Sequence, residues 1–96
     1  MLNGTYDVVA NTRIGDIKAV ITLEEKADKL IATAKARGLK KKVEGQANGD
    51  AFSFKGEIKI LKKALRYDIR GEVVENFIIA SASTNVGEIA IEGVRR

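Results

Sequence analysis

Phe52-Ser53-Phe54-Lys55-Gly56-Glu57-Ile58-Lys59-Ile60 alternates apolar or small residues with polar ones along its whole length. A strand turns successive side chains to opposite faces. A period of two therefore puts Phe52, Phe54, Gly56, Ile58 and Ile60 on one wall and Ser53, Lys55, Glu57 and Lys59 on the other. Just before this stretch, Asn48-Gly49-Asp50 supplies residues that tolerate the positive φ of a tight hairpin. Ahead of that turn, in a strand starting near Leu39, Val43, Gly45 and Ala47 alternate with Lys42, Glu44 and Gln46. Beyond the stretch, Leu65, Tyr67, Ile69 and Gly71 face inward against Arg66, Asp68, Arg70 and Glu72.

The same period extends to both ends of the chain. Tyr6, Val8 and Ala10 share one face of a first strand, and Ile17, Ala19, Ile21 and Leu23 one face of a second. Leu30, Ala32, Ala34 and Ala36 form the inner face of a third, and Ile89, Ile91 and Gly93 that of the last. Arg37-Gly38 and Glu75-Asn76 are weaker turn signals. Phe77-Ile78-Ile79-Ala80 run together, which leaves the phase of the seventh strand open. Leu23 to Arg37 is rich in Glu, Lys, Leu and Ala and can also be read as a helix. Thr22, Thr33, the alternation from Lys29 and the lack of a good cap favour strands. The expectation is an all-β protein, an antiparallel up-and-down meander of about eight strands closed into a barrel, with residues 1–96 as a single domain. An internal echo, Thr12-Arg13-Ile14-Gly15-Asp16-Ile17 against Thr84-Asn85-Val86-Gly87-Glu88-Ile89, reads as two similar turns entering similar strands.

At 96 residues, with 31% charged and 45% hydrophobic, the chain suits one domain with a modest core. No apolar run approaches the roughly 20 residues of a membrane helix. Cysteine, histidine, tryptophan and proline are all absent. That removes disulfides, thiol nucleophiles, thiolate or imidazole metal sites and histidine acid–base chemistry, so neither metal nor cofactor is expected. Glu24, Glu25 and Asp28 lie close together but read as solvated turn carboxylates, and no catalytic set is recognised. An enzyme is the least favoured class. Met1-Leu2-Asn3 runs straight into a strand pattern without a secretory leader, and the missing cysteines fit a cytoplasmic setting.

In a meander, alternate hairpins fall at the same end of the barrel. One end then collects Arg13, Arg37, Lys40, Lys41, Lys42, Lys62 and Lys63, with Asp16 and Glu88. The other collects Glu24, Glu25, Lys26, Asp28, Asp50, Glu72 and Glu75. Residues 35–70 carry a charge balance of +7 and the remainder −3. One rim is basic and the other acidic.

Gly4-Thr5-Tyr6 resembles the G-x-W that opens the first strand of calycins (lipocalins, fatty-acid-binding and avidin-like proteins), with Tyr6 in the place of the tryptophan. Gly93-Val94-Arg95 resembles the end of the last calycin strand, where an arginine often lies across that tryptophan. Short glycine-punctuated bacterial β domains of unknown function share both features. The resemblance implies a barrel plugged at one end by Tyr6 and Arg95 through cation–π and alkyl contact. The opposite, basic end is then the mouth. Inside it the sequence places Ala10, Ile17, Ala34, Ala36, Phe54, Ile58, Tyr67 and Ile89 as ligand-binding candidates, with Arg13, Arg37, Lys41, Lys62 and Lys63 as its rim.

The first reading is a non-catalytic binding barrel for a small hydrophobic or amphiphilic molecule, its anionic group drawn to the rim. The second is an interaction module whose filled barrel self-associates into a homo-oligomer. Nucleic acid is disfavoured. A single-strand platform needs aromatics exposed among its cations, and Phe52 and Phe54 share the parity of the core.

Overall fold

Each tight turn returns the chain beside the strand it has just left, and the outcome is a meander that closes on itself. The protein is described by a computed structural model covering residues 2–60 and 62–96; the inward side chain expected at Ile60 lies outside the described residues. The strands are β1 (Gly4–Thr12), β2 (Gly15–Lys26), β3 (Lys29–Ala36), β4 (Leu39–Asn48), β5 (Ala51–Ile60), β6 (Lys63–Val74), β7 (Phe77–Thr84) and β8 (Gly87–Arg95). All neighbours are antiparallel and in chain order, and β8 pairs back onto β1 from Tyr6↔Arg95 to Asn11↔Ala90. The helical alternative for 23–37 gives way to a hairpin whose turn is Ala27-Asp28. Ala27 takes φ 54° there, and Arg37-Gly38 takes φ 50° and 79° in the next turn.

Following hydrogen-bonded partners across the sheet measures how far the barrel is sheared. From Glu25 the register steps through Leu30, Gly45, Phe54, Ile69 and Ala82 to Ile89. The β1 registers put Glu25 level with residue 2 and Ile89 level with residue 12, so the ring closes with a stagger of ten residues. A stagger of that kind requires strongly tilted strands and leaves an interior just wide enough for side chains.

The interior is filled unevenly. Leu2, Tyr6, Val8, Leu23, Leu30, Phe52, Phe54, Val73 and Ile78 are buried, and most of them belong to the half of the barrel that holds Tyr6. Leu2 precedes β1 and was outside the sequence-derived core, yet it is fully buried over this end. The phase of β7 is settled: Ile78, Ala80 and Ala82 point inward, and Phe77 and Ile79 point out. On the far side of β1, Arg96 ties down the end of β8. Its backbone N–H donates to the Thr5 carbonyl (2.8 Å), and its guanidinium bonds both carboxylate oxygens of Asp7. That bond holds the Asp7 carboxyl below its ordinary 3.8, so the pair's contribution is present above that pH and fades as pH falls through the lowered value.

Large rings fit into so narrow a barrel because inward positions facing them are glycine. A Cβ at Gly45 would meet the backbone carbonyl of Ser53 and would sit 2.5 Å from Cδ1 of Phe54. At Gly71 it would fall 2.7 Å from Cζ of Phe52, with the Ile79 carbonyl beside it, and at Gly93 it would meet the Asp7 carbonyl and Val8. Gly56 differs, since a Cβ there meets only the far end of Tyr67, 2.8 Å from the hydroxyl. Backbone cannot move aside as a side-chain tip can. Gly45→Ala, Gly71→Ala and Gly93→Ala are therefore expected to lose about 1–3 kcal/mol of stability or more, as overpacking does. Gly56→Ala should lose clearly less. Urea titrations of the four variants check the order, and equal losses at Gly56 and Gly45 would contradict it.

Candidate functional site

The two ends of the barrel are chemically unlike, and the difference starts with what sits over each. At the acidic end Tyr6 and Arg95 are direct cross-strand partners on β1 and β8. The Tyr6 hydroxyl donates to the Leu2 carbonyl (2.8 Å) and accepts from Nη2 of Arg95 (2.8 Å). The guanidinium carbon lies 5.2 Å from the centroid of the Tyr6 ring, within cation–π range, and the arginine stem covers Gly4. Leu2 is held from the other side as well. Its N–H donates to Oε1 of Glu25 (3.0 Å), while Asn3 Oδ1 accepts from the Glu25 N–H (2.6 Å). The first residues thus fold across this end as a cork of Leu2, Tyr6 and Arg95.

At the basic end the inward residues are covered far less. Ala10, Ile17, Ala34, Ala36, Ile58, Tyr67 and Ile89 are all only partly buried, although each continues the inner face of its strand. Phe54 does not join them. It lies deeper, buried with Phe52 at a ring separation of 5.9 Å, and forms the floor beneath the half-buried set. Arg13, Arg37, Lys41, Lys62 and Lys63 are exposed at this end, but they do not play one role. Four lie in or beside hairpin turns. Lys41 lies within β4, opposite Ala34, on the inner face.

That placement matters because of how β4 and β5 meet. Their register runs only from Asn48↔Ala51 to Gly45↔Phe54, whereas β3 and β4 stay paired to Ala36↔Leu39 and β5 and β6 to Ile60↔Lys63. Beyond Gly45 and Phe54 the two strands part, each still held by its other neighbour. Extending their register puts Lys41 and Ile58 at the same level on opposite banks, with Val43 and Gly56 below them. Tyr67 lies beside Gly56 across β5 and β6. The sequence flagged Lys41, Ile58 and Tyr67 separately. It missed the parting that relates them, and it missed Leu39 on the inner face that it had assigned to Val43. The run Leu39-Lys40-Lys41-Lys42 was the available sign, since lysines commonly guard an unpaired strand edge.

A second opening lies between β2 and β3. Their pairing stops at Val20↔Lys35, leaving the β2 residues before Val20 without β3 partners. The resulting cleft, about 820 Å³, is lined by Val8, Ala19 and Ala36 from the inner face and by Val9, Val20 and Lys35 from the outer.

Fold and site together define a closed eight-stranded antiparallel barrel with one corked end and one slotted, basic end. Comparisons with protein-family models, curated proteins and solved structures gave no match.

The cork makes a measurable claim. In a double-mutant cycle, Tyr6→Leu and Arg95→Met should show a coupling of about 0.5–2 kcal/mol in thermal or urea unfolding, because each substitution removes the partner of the other. Strict additivity would mean that the two side chains contribute independently.

Proposed function

We propose that the barrel is a non-catalytic binding protein for a small apolar molecule with an anionic group, entered at its basic end in the manner of calycins. The observation that carries this reading is the parting of β4 and β5, which sets Lys41 opposite Ile58 above a half-buried aliphatic interior. A carboxylate or similar group would meet the Lys41 ammonium and the neighbouring rim cations. The attached apolar chain would lie against Ala34, Ala36, Ile58 and Tyr67, with Phe54 as the floor. Separating a few charged groups from an apolar lining is how small-molecule sites obtain both affinity and orientation.

A fluorescent fatty-acid-like probe should bind with a stoichiometry of one per chain. Lys41→Glu should weaken that binding about tenfold, in line with losing one charge-assisted contact. Asp28→Lys, at the opposite end, should leave it unchanged. Added salt should weaken the anionic probe more than its neutral alcohol, because exposed charges are screened beyond about 8–10 Å. A probe indifferent to Lys41→Glu, or one that fails to saturate, would remove this reading.

One observation favours the alternative of a self-associating module. Val74, Phe77, Ile79 and Val94 are about half exposed and contiguous on the outer face of the acidic end, with Phe77 paired to both Val74 and Val94. Under that reading the mass in solution exceeds one chain and falls to a monomer on Phe77→Ser.

A further inference from the structure

Hairpin tips normally end in polar or turn-forming residues, and those at the acidic end obey the rule with Ala27-Asp28, Gly49-Asp50 and Glu75-Asn76. Two of the tips at the mouth do not. Ile14 is 90% exposed in the β1–β2 turn and Val86 is 62% exposed in the β7–β8 turn; Leu39, 60% exposed, follows the Arg37-Gly38 turn as Phe77, 54% exposed, follows Glu75-Asn76 at the other end. Of the three mouth hairpins whose tips are fully described, two hold an aliphatic side chain out in water at the tip itself, and the third carries Leu39 beside it.

The first and last of these tips are fixed by one plan. Thr12 Oγ1 donates to the Gly15 carbonyl (2.6 Å) and accepts from the Ile14 N–H (3.3 Å). Thr84 Oγ1 does the same with the Gly87 carbonyl (2.5 Å) and the Val86 N–H (3.1 Å). The repeated T-x-[IV]-G-[DE]-I segment therefore encodes a hairpin that displays its aliphatic residue. Asn85 braces the second copy against β6 through its backbone and amide contacts to Arg66 and Ala64. Between the two tips runs a cleft of about 560 Å³ lined by Ile14, Ile17, Val86 and Ile89.

Cations surround the aliphatics. Arg13 adjoins Ile14, Arg37 and Lys40 bracket Leu39, and Lys62 and Lys63 occupy the remaining hairpin, all exposed. The anions at this end are engaged locally: Asp16 accepts from Nδ2 of Asn11 (2.7 Å) and Glu88 from the Ser83 hydroxyl (3.1 Å).

We propose that the mouth end docks onto an anionic lipid surface. Ile14, Leu39 and Val86 enter the interfacial layer, and Arg13, Arg37, Lys40, Lys62 and Lys63 face the headgroups. Separate apolar points set among cations match a fluid, negatively charged surface, which closes around each point. Apolar burial and headgroup attraction act together there, and each basic side chain held near such a surface strengthens association about fivefold. The inference rests on which end is the mouth. It does not require an occupied interior, so docking and ligand binding can fail separately.

Co-sedimentation of the full chain tests it, using vesicles of phosphatidylcholine alone and of phosphatidylcholine with phosphatidylserine. Binding is expected on the anionic vesicles, falling several-fold as salt is raised, with little on the neutral ones. The double variant Ile14→Asp, Val86→Asp should bind them at least tenfold more weakly, and Arg13→Glu several-fold. Phe77→Ser, on the outer face at the other end, should bind as the parent does. Far-ultraviolet circular dichroism and melting of each variant confirm that the barrel is intact. Equal binding to both vesicle types overturns the proposal, and so does a double variant that binds like the parent, since adhesion would then be electrostatic without insertion. So does capture of soluble acidic protein at the rim with no vesicle binding. Probe binding by the double variant without vesicles separates these outcomes from a failure of the interior site.

Discussion

Closing eight strands into a ring with a ten-residue stagger makes each hairpin overhang its neighbour at the rims, and hydrogen bonds between hairpins must stop before the hairpins do. At the acidic end the overhang is small and is covered by a side chain from outside the strands, Leu2, together with the Tyr6–Arg95 pair. At the basic end nothing comparable is found among the described residues. There the ladder stops at Val20↔Lys35 and Gly45↔Phe54, and apolar interior positions remain in contact with water. The polarity of the molecule follows from how the same closure is finished at its two ends.

The stagger also fixes what the interior can hold. With rings at Phe52 and Phe54 in so narrow a barrel, facing positions have to be small; Gly71 supplies that space for Phe52 and Gly45 for Phe54, and Gly93 does the same for Val8. Buried aromatics are concentrated toward the corked end, while Ala34 and Ala36 continue β3 toward the mouth. Stability is therefore stored on one side of Phe54 and accessibility on the other. A substitution at Gly45 acts on the first, and one at Lys41 acts on the second.

Much of this was legible in residue order. Alternation of period two identifies a strand and its inner face because the backbone geometry enforces it, so the inward sets of β1 to β6 and β8 could be read directly. β7 could not, since Phe77-Ile78-Ile79-Ala80 is apolar on both faces; the outward half of that run becomes the exposed patch. Pairing the loops by parity was enough to separate acidic and basic ends. Register between strands was beyond reach, because it depends on where ladders end, a tertiary outcome set by closure. Without register, Lys41 was one more rim lysine rather than an inward cation opposite Ile58. Leu2 was missed for a similar reason: it lies outside any alternating run, and only the carboxylate of Glu25 and the Tyr6 hydroxyl bring it over the core.

The repeated turn shows how a weak sequence signal gains meaning from placement. Thr12-x-Ile14-Gly15 and Thr84-x-Val86-Gly87 are unremarkable as turns, and a polar residue at the second loop position would satisfy the same threonine hydrogen bonds. The backbone plan therefore does not explain why Ile14 and Val86 are aliphatic. Core packing does not explain it either, with both side chains largely in water. Solvation of a hairpin tip favours the opposite choice, as the Asp28, Asp50 and Glu75 turns at the other end illustrate. What remains is a property of the outer surface at one rim, where two aliphatic tips stand among cations. The parting of β4 and β5 opens at that same rim, so the slot and the displayed aliphatic tips belong to one end of the barrel.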